Sequence, residues 1–285
     1  MIKSRSFNGP LLFLVSIVWL SCAYFNTYYN AEKYFNDADK LRLEKEGKSI
    51  PLSALDKYGK TIQKCQKVLK EFPESELRIN AILLMSKARY YRREYDDALM
   101  DLRIVNEKGD ADQVDEAQYW VALCKWKKGT IQPAIDELTL LIKNTDIQDL
   151  QAMCHLSLAE IAEELKDEES ILYHLEIGAD LMRDRAQRGV IYGKLAEFAF
   201  QNENYEVAIT TYNKVIKNSL SKEKVEDSHL QVLRILRMQG NFRAAAKKIK
   251  AMLTDEKFKN IAGNLELELV PVSYTHLTLP TILLV

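Results

Sequence analysis

The chain is 285 residues long, 47% hydrophobic and 28% charged, which excludes a disordered polymer and permits a sizeable core. With 40 basic against 41 acidic residues its formal charge is −1, so no chain-wide field draws it to nucleic acid, and none is expected as a partner. Its 10 Gly and 6 Pro are too few for the turns of an all-β fold, and helix is the expectation.

In chain order, residues 1–21 read as a secretory signal: Lys3 and Arg5 with no acid, an apolar run from Leu11 to Leu20, then small Ser21 before Cys22. That run is shorter than the roughly 20 residues a spanning helix needs. A cysteine directly after the small residue resembles the bacterial lipobox, although Trp19 stands where Leu is usual. The resemblance implies that Cys22 carries diacylglycerol and becomes the first residue of the mature chain, whose two or three acyl chains would hold it firmly on a membrane. Ala23 follows; in the enterobacterial pattern a non-Asp residue there implies transfer to the outer membrane, facing the periplasm. Residues 22–53 form the lipidated N-terminus and a first helix over Asn26–Phe35, with Leu41–Ser53 as the expected excursion before the next helix.

From residue 54 to 259 the chain repeats. An aromatic or apolar residue is followed three positions later by a small one, at Thr61, Ala98, Ala134, Ser170, Ala208 and Ala245, with spacings of 37, 36, 36, 38 and 37. Three positions earlier stand Tyr58, Tyr95, Ile131, Asp167, Tyr205 and Phe242; seven positions later come Val68, Val105, Leu141, Ile177, Val215 and Met252. Offsets of three, four and seven share one helical face, and the small residue admits a neighbouring helix. Each unit has a second helical stretch ahead of it, joined by turn-formers such as Gly129-Thr130, Asn202-Glu203-Asn204 and Gln239-Gly240-Asn241. Thr130 is the expected cap of its helix, and Pro133 fits the first turn. Each unit is therefore a helical hairpin that needs its neighbours to bury its apolar face.

Tyr95-Asp96-Asp97-Ala98 and Tyr205-Glu206-Val207-Ala208 resemble the start of the second helix in the tetratricopeptide repeat (TPR) family. The family's small residue in the first helix appears as Ser86, Ala122 and Ala196 but as Leu158 and Leu233 in two units, and the period exceeds the usual 34. The resemblance implies an all-α solenoid of tandem hairpins, a right-handed superhelix whose first helices line a concave, partner-binding groove. Mapped onto this chain, the groove positions are Lys87, Tyr90, Tyr91, Tyr119, Leu123, Trp126, Lys127, His155, Glu197 and Phe200. Rings beside Lys are the type of surface that binds peptides; the competing expectation is that about half of them pack between helices. The segment after Cys22 is similar to the opening of repeat lipoproteins of outer-membrane assembly and secretion, including the D subunit of the β-barrel assembly machine.

Residues 260–271 read as the start of a truncated further repeat. After Glu268 no charged residue occurs in the remaining 17. Within 272–285, Val272–Thr281 resembles one reading frame of a transposase adapter from shotgun library preparation, so that segment is expected to be an artefact.

No H-E-x-x-H, phosphate loop or nucleophile elbow is present. Cys65, Cys124 and Cys154 lack a C-x-x-C pair and are expected as buried thiols; His155, His174 and His229 are expected in three different repeats, so no metal site is expected. His174 takes a packing position. Acidic clusters such as Asp96-Asp97 and Asp167-Glu168-Glu169 belong at helix starts, where negative charge is favourable. The expectation is a non-catalytic scaffold or adaptor in the bacterial cell envelope, tethered by lipid and binding a protein or peptide partner. No cofactor or small-molecule substrate is expected. The alternatives are a fixed structural subunit of an envelope complex, or the targeting arm of an enzyme domain.

Overall fold

The structure is a computed structural model that describes residues 9–44 and 49–268, with side chains from Asn26 onward. Residues 1–8, the Cys22 side chain and the 272–285 segment lie outside that description. The described residues form no strand. The chain divides into two compact units, residues 1–145 and 146–285.

In the first unit the helices pair in chain order as α1 (Gly9–Leu43) with α2 (Leu52–Glu71), α3 (Arg78–Tyr91) with α4 (Tyr95–Lys108), and α5 (Ala111–Lys127) with α6 (Ile131–Asn144). In the second, α7 (Gln148–Leu165) pairs with α8 (Glu168–Leu181), α9 (Arg185–Gln201) with α10 (Tyr205–Asn218), and α11 (Lys222–Met238) with α12 (Phe242–Leu253). A 3-10 helix, Glu256–Ile261, and a helical turn over 262–268 follow. These are the tandem helical hairpins expected from the repeat. α1 continues through the expected cleavage point at Ser21-Cys22, and among the described residues no helix is long and apolar enough to cross a membrane.

Five of the hairpins turn in the same way. One residue takes a positive φ: Arg93 (64°), Gly129 (90°), Lys166 (58°), Glu203 (57°) and Gly240 (72°). Its N–H donates to the carbonyl three residues back, and the next residue's N–H donates to the carbonyl five back, as in Arg93 to Tyr90 with Glu94 to Arg89 and Gly240 to Arg237 with Asn241 to Leu236. This pair of bonds closes off the carbonyls that a helix end leaves orphaned. The second helix then starts on the following cap. Asn204 and Asn241 accept the N–H three residues on, from Val207 and Ala244. Thr130 departs from the expected capping: its hydroxyl donates backwards to the Lys125 carbonyl at 2.8 Å and makes no bond into α6.

This turn defines the register and corrects the fourth hairpin. In the others the buried anchor lies five residues after the positive-φ residue: Ala98, Ala134, Ala208 and Ala245 are all fully buried. After Lys166 that position is Ile171, 5% exposed, and the anchor spacings become 37, 36, 37, 37 and 37. Ser170 is only half-buried, and both its N–H and its hydroxyl donate to Asp167, the cap of α8. The matching position near the helix end is Gly178 rather than Ile177; its carbonyl accepts from Met182, as Val105 accepts from Gly109 and Val215 from Ser219. The same one-residue shift places Ala159, not Leu158, at the small position of the first helix, where Ser86, Ala122 and Ala196 also lie buried. Sequence spacing failed here because a large anchor and an adjacent serine exchange the expected sizes.

The anchors bring the helices together around Tyr58, Val68, Leu102 and Val105 in the first unit and Leu195, Leu233 and Ile249 in the second. Tyr95, Tyr205 and Phe242 are half-buried beside their anchors. Gly189 marks a close approach: a Cβ there would meet the Ser219 backbone at 2.9 Å, so α9 passes directly over the end of α10.

Removing the Ile171 side chain should cost about 2–5 kcal/mol, whereas Ser170→Ala should cost about 1 kcal/mol or less through the lost hydroxyl bond. Urea unfolding of the two variants tests the register; equal costs would restore Ser170 as the anchor.

Candidate functional site

In the first unit, α1 and α3 each turn one face towards a cavity of about 240 Å³. Tyr28, Glu32, Phe35 and Asn36 lie four, seven and eight positions along α1; Asn80, Leu83, Leu84 and Lys87 lie three, four and seven along α3. Both sets follow helical periodicity, so each is one stripe. Glu116 of α5 closes the third side.

Polar groups in this cavity are tied to one another. The Lys87 ammonium donates to Glu116 at 2.8 Å and lies 5.5 Å from the Phe35 ring centre and 5.8 Å from that of Trp120. The Trp120 indole N–H reaches the same carboxylate oxygen at 3.4 Å. The Tyr28 hydroxyl bonds to Glu32, and burial followed by that carboxylate's charge pushes the phenol well above its ordinary range, so it stays a neutral donor. Phe35, Leu83 and Leu84 supply an apolar floor at 6–8% exposure.

Of the ten groove positions expected from the sequence, Lys87 lines this cavity. Tyr119, Leu123, Trp126 and His155 are 4–6% exposed, which corrects their assignment to an open binding surface. The first-unit rings form a packed ladder instead. Tyr58 stacks on Tyr91 at 5.0 Å; Tyr91 and Tyr90 meet Trp120 edge-on at 5.8 and 5.2 Å; Tyr119 meets it at 5.4 Å. Such offset and edge contacts add to area burial. Arg42 caps the ladder over Tyr91 at 4.4 Å and bonds to Asp39, which accepts the Tyr58 hydroxyl at 2.5 Å. Tyr90 and Tyr91 are half-buried within it, and exposed Lys127 lies over the Trp126 ring. In the second unit Glu197 is exposed, while half-buried Phe200 lies under Arg234 at 5.3 Å.

His155 and His174 lie in one hairpin, on α7 and α8, rather than in different repeats as expected; their facing Nδ1 atoms are 2.9 Å apart, which requires one ring to carry its proton on Nδ1 and the other on Nε2. Burial holds His155 down at about 4, with His174 adding to the effect, and burial lowers His174 as well. His229, edge-on to Phe258, is likewise lowered to about 4 by burial. Among the described residues no three metal-ligating side chains converge. Cys65, Cys124 and Cys154 are buried thiols outside any disulfide; burial pushes Cys65 and Cys124 up to about 12.

The cavity residues of α1 and the polar groups Asn80 and Glu116 are not among the groove positions expected from the sequence. Their helical spacing was visible, but only packing of α1 beside α3 brings them together.

Two outcomes follow from this geometry. Trp120→Ala should destabilise the first unit by about 3–5 kcal/mol in urea unfolding, since it empties the centre of the ring ladder. For the histidines the folded pKa lies below the ordinary 6.5. Their neutral burial therefore stabilises fully above pH 6.5 and is lost as the pH falls towards 4. The drop in melting temperature between about pH 7 and about pH 4.5 should be smaller in His155→Gln than in the parent chain.

No family model matches the chain, and no curated protein matches it. Among solved structures, the apo form of RapI is similar over 86% of this chain and 98% of its own, at 18% identity and a TM-score of 0.45. A tetratricopeptide repeat protein from Parabacteroides merdae is similar over 85% of this chain and 99% of its own, at 13% identity and a TM-score of 0.33.

Proposed function

We propose that the chain is a non-catalytic scaffold that binds an extended segment of a protein partner in the bacterial cell envelope. The observation that carries this reading is the convergence of one stripe of α1 and one of α3 with Glu116 of α5. Together they make a cavity with an apolar floor and a few fixed polar groups, the usual character of a recognition site. Tethering to a membrane, with the outer membrane facing the periplasm as the site of action, rests on Lys3, Arg5, the apolar run Leu11–Leu20 and Cys22. Likeness to outer-membrane assembly lipoproteins belongs to the same proposal.

One observation favours a fixed structural subunit instead. Met100 and Leu140 stand 62% and 58% exposed on the second helices α4 and α6 of the first unit, outside the residues that line the cavity. Large apolar side chains exposed on these helices would suit permanent docking.

Photo-crosslinkers placed at Asn36 or Asn80 and at Met100 or Leu140 separate the two in cells. The scaffold reading expects one protein adduct at Asn36 and Asn80 that Met100 and Leu140 do not give; adducts confined to Met100 and Leu140 would favour the structural subunit. In the same cells Cys22→Ala should move the chain out of the membrane fraction, and retention there would remove the lipid anchor.

A further inference from the structure

We infer that the cavity of the first unit receives the cationic side chain of a lysine or arginine in an extended segment of the partner protein, an inference that rests on the scaffold reading of this same cavity.

Charge is the first ground. The lining holds two carboxylates, Glu32 and Glu116, against the single ammonium of Lys87. That ammonium is already held by Glu116 at 2.8 Å and lies between the Phe35 and Trp120 rings, so little of its charge is left for an incoming acid. A partner carboxylate would have to displace Glu116 and then face Glu32. By contrast, Glu32 takes one hydrogen bond from the Tyr28 hydroxyl, and an ionised carboxylate has about four acceptor sites. Because Tyr28 remains protonated, it neither adds nor cancels charge. An incoming ammonium or guanidinium therefore finds Glu32 with acceptor sites to spare, whereas an incoming anion finds only the Lys87 ammonium, already held by Glu116.

Shape is the second ground. Sites for whole drug-sized ligands run about 300–1,000 Å³. At about 240 Å³ this cavity suits one long side chain better than a complete small molecule. Phe35, Leu83 and Leu84 offer an apolar floor for the methylene stem of lysine or arginine, whose charged head can then reach the polar rim. A short acid would leave that floor empty.

The test uses the full chain in mild detergent and pools of extended octapeptides, each pool fixed at one central position as Lys, Arg, Glu or Leu and randomised elsewhere. Binding is read by fluorescence anisotropy. Pools fixed as Lys or Arg should bind best. Glu32→Gln, which keeps size and hydrogen bonding, should weaken them by about 10-fold, roughly 1.4 kcal/mol. Lys87→Met, which removes the competing cation, should strengthen them, an effect that loss of structure would not produce. Preference for the Glu or Leu pools, or Lys and Arg pools that bind Glu32→Gln as well as the parent, would overturn the cation assignment while leaving a peptide-binding scaffold in place. If no pool binds, the cavity is not a peptide site and both readings fall together.

Discussion

Five of the hairpins depend on one backbone constraint, the left-handed residue between their two helices. With φ fixed near +60 to +90° and two hydrogen bonds closing the end of the first helix, the second helix starts at a set distance and a set rotation. The anchor five residues later therefore always faces the partner helix. Arg93, Lys166 and Glu203 hold this geometry without being glycine, at a cost of roughly 1–2 kcal/mol each. That they do so shows how strongly the closing bonds and the packing of both helices determine the turn. In the sequence Gly129, Gly240 and the turn-formers Asn202-Glu203-Asn204 announce it, while Arg93 and Lys166 do not.

Within the first unit, the hairpins are joined by a continuous set of rings and charges as well as by aliphatic packing. Phe35 of α1, Tyr58 of α2, Tyr91 of α3 and Trp120 of α5 touch in succession, so each successive hairpin is locked to the one before through an aromatic face. Lys87 connects this interior to the cavity: the same ammonium that lies between Phe35 and Trp120 forms the ion pair with Glu116. The site is thus rigid because its one cation is part of the packing. By contrast, Asp101, paired with Arg89 at 2.7 Å, is pushed up to about 6 by burial, a charge the fold carries at neutral pH rather than a gain from it.

The period, the hairpins and most anchors were legible because a helix face repeats every three to four residues and small residues stand out among larger ones. Legibility ended where that size rule broke, at Ile171, and where two adjacent rings compete for one face. Tyr119 and Trp120 are one residue apart, about 100° around α5, and both are enclosed; a pattern of rings beside lysines describes a binding face and a packed interior equally well. The cavity was less legible still. Tyr28, Glu32 and Asn36 look like the ordinary surface of a first helix until α3 lies alongside. Recognition sites on stacked hairpins are properties of neighbouring units, and a linear reading sees one unit at a time.

The three buried thiols have a practical meaning. Cys65 in α2, Cys124 in α5 and Cys154 in α7 have no exposed surface, and for Cys65 and Cys124 burial also suppresses the thiolate that an alkylating reagent attacks. Each is silent while its helix is seated and reactive once the helix lifts away. The chain therefore carries three native timers, two in the first unit and one in the second, and the order in which they are alkylated under mild denaturation gives the order in which its hairpins come apart.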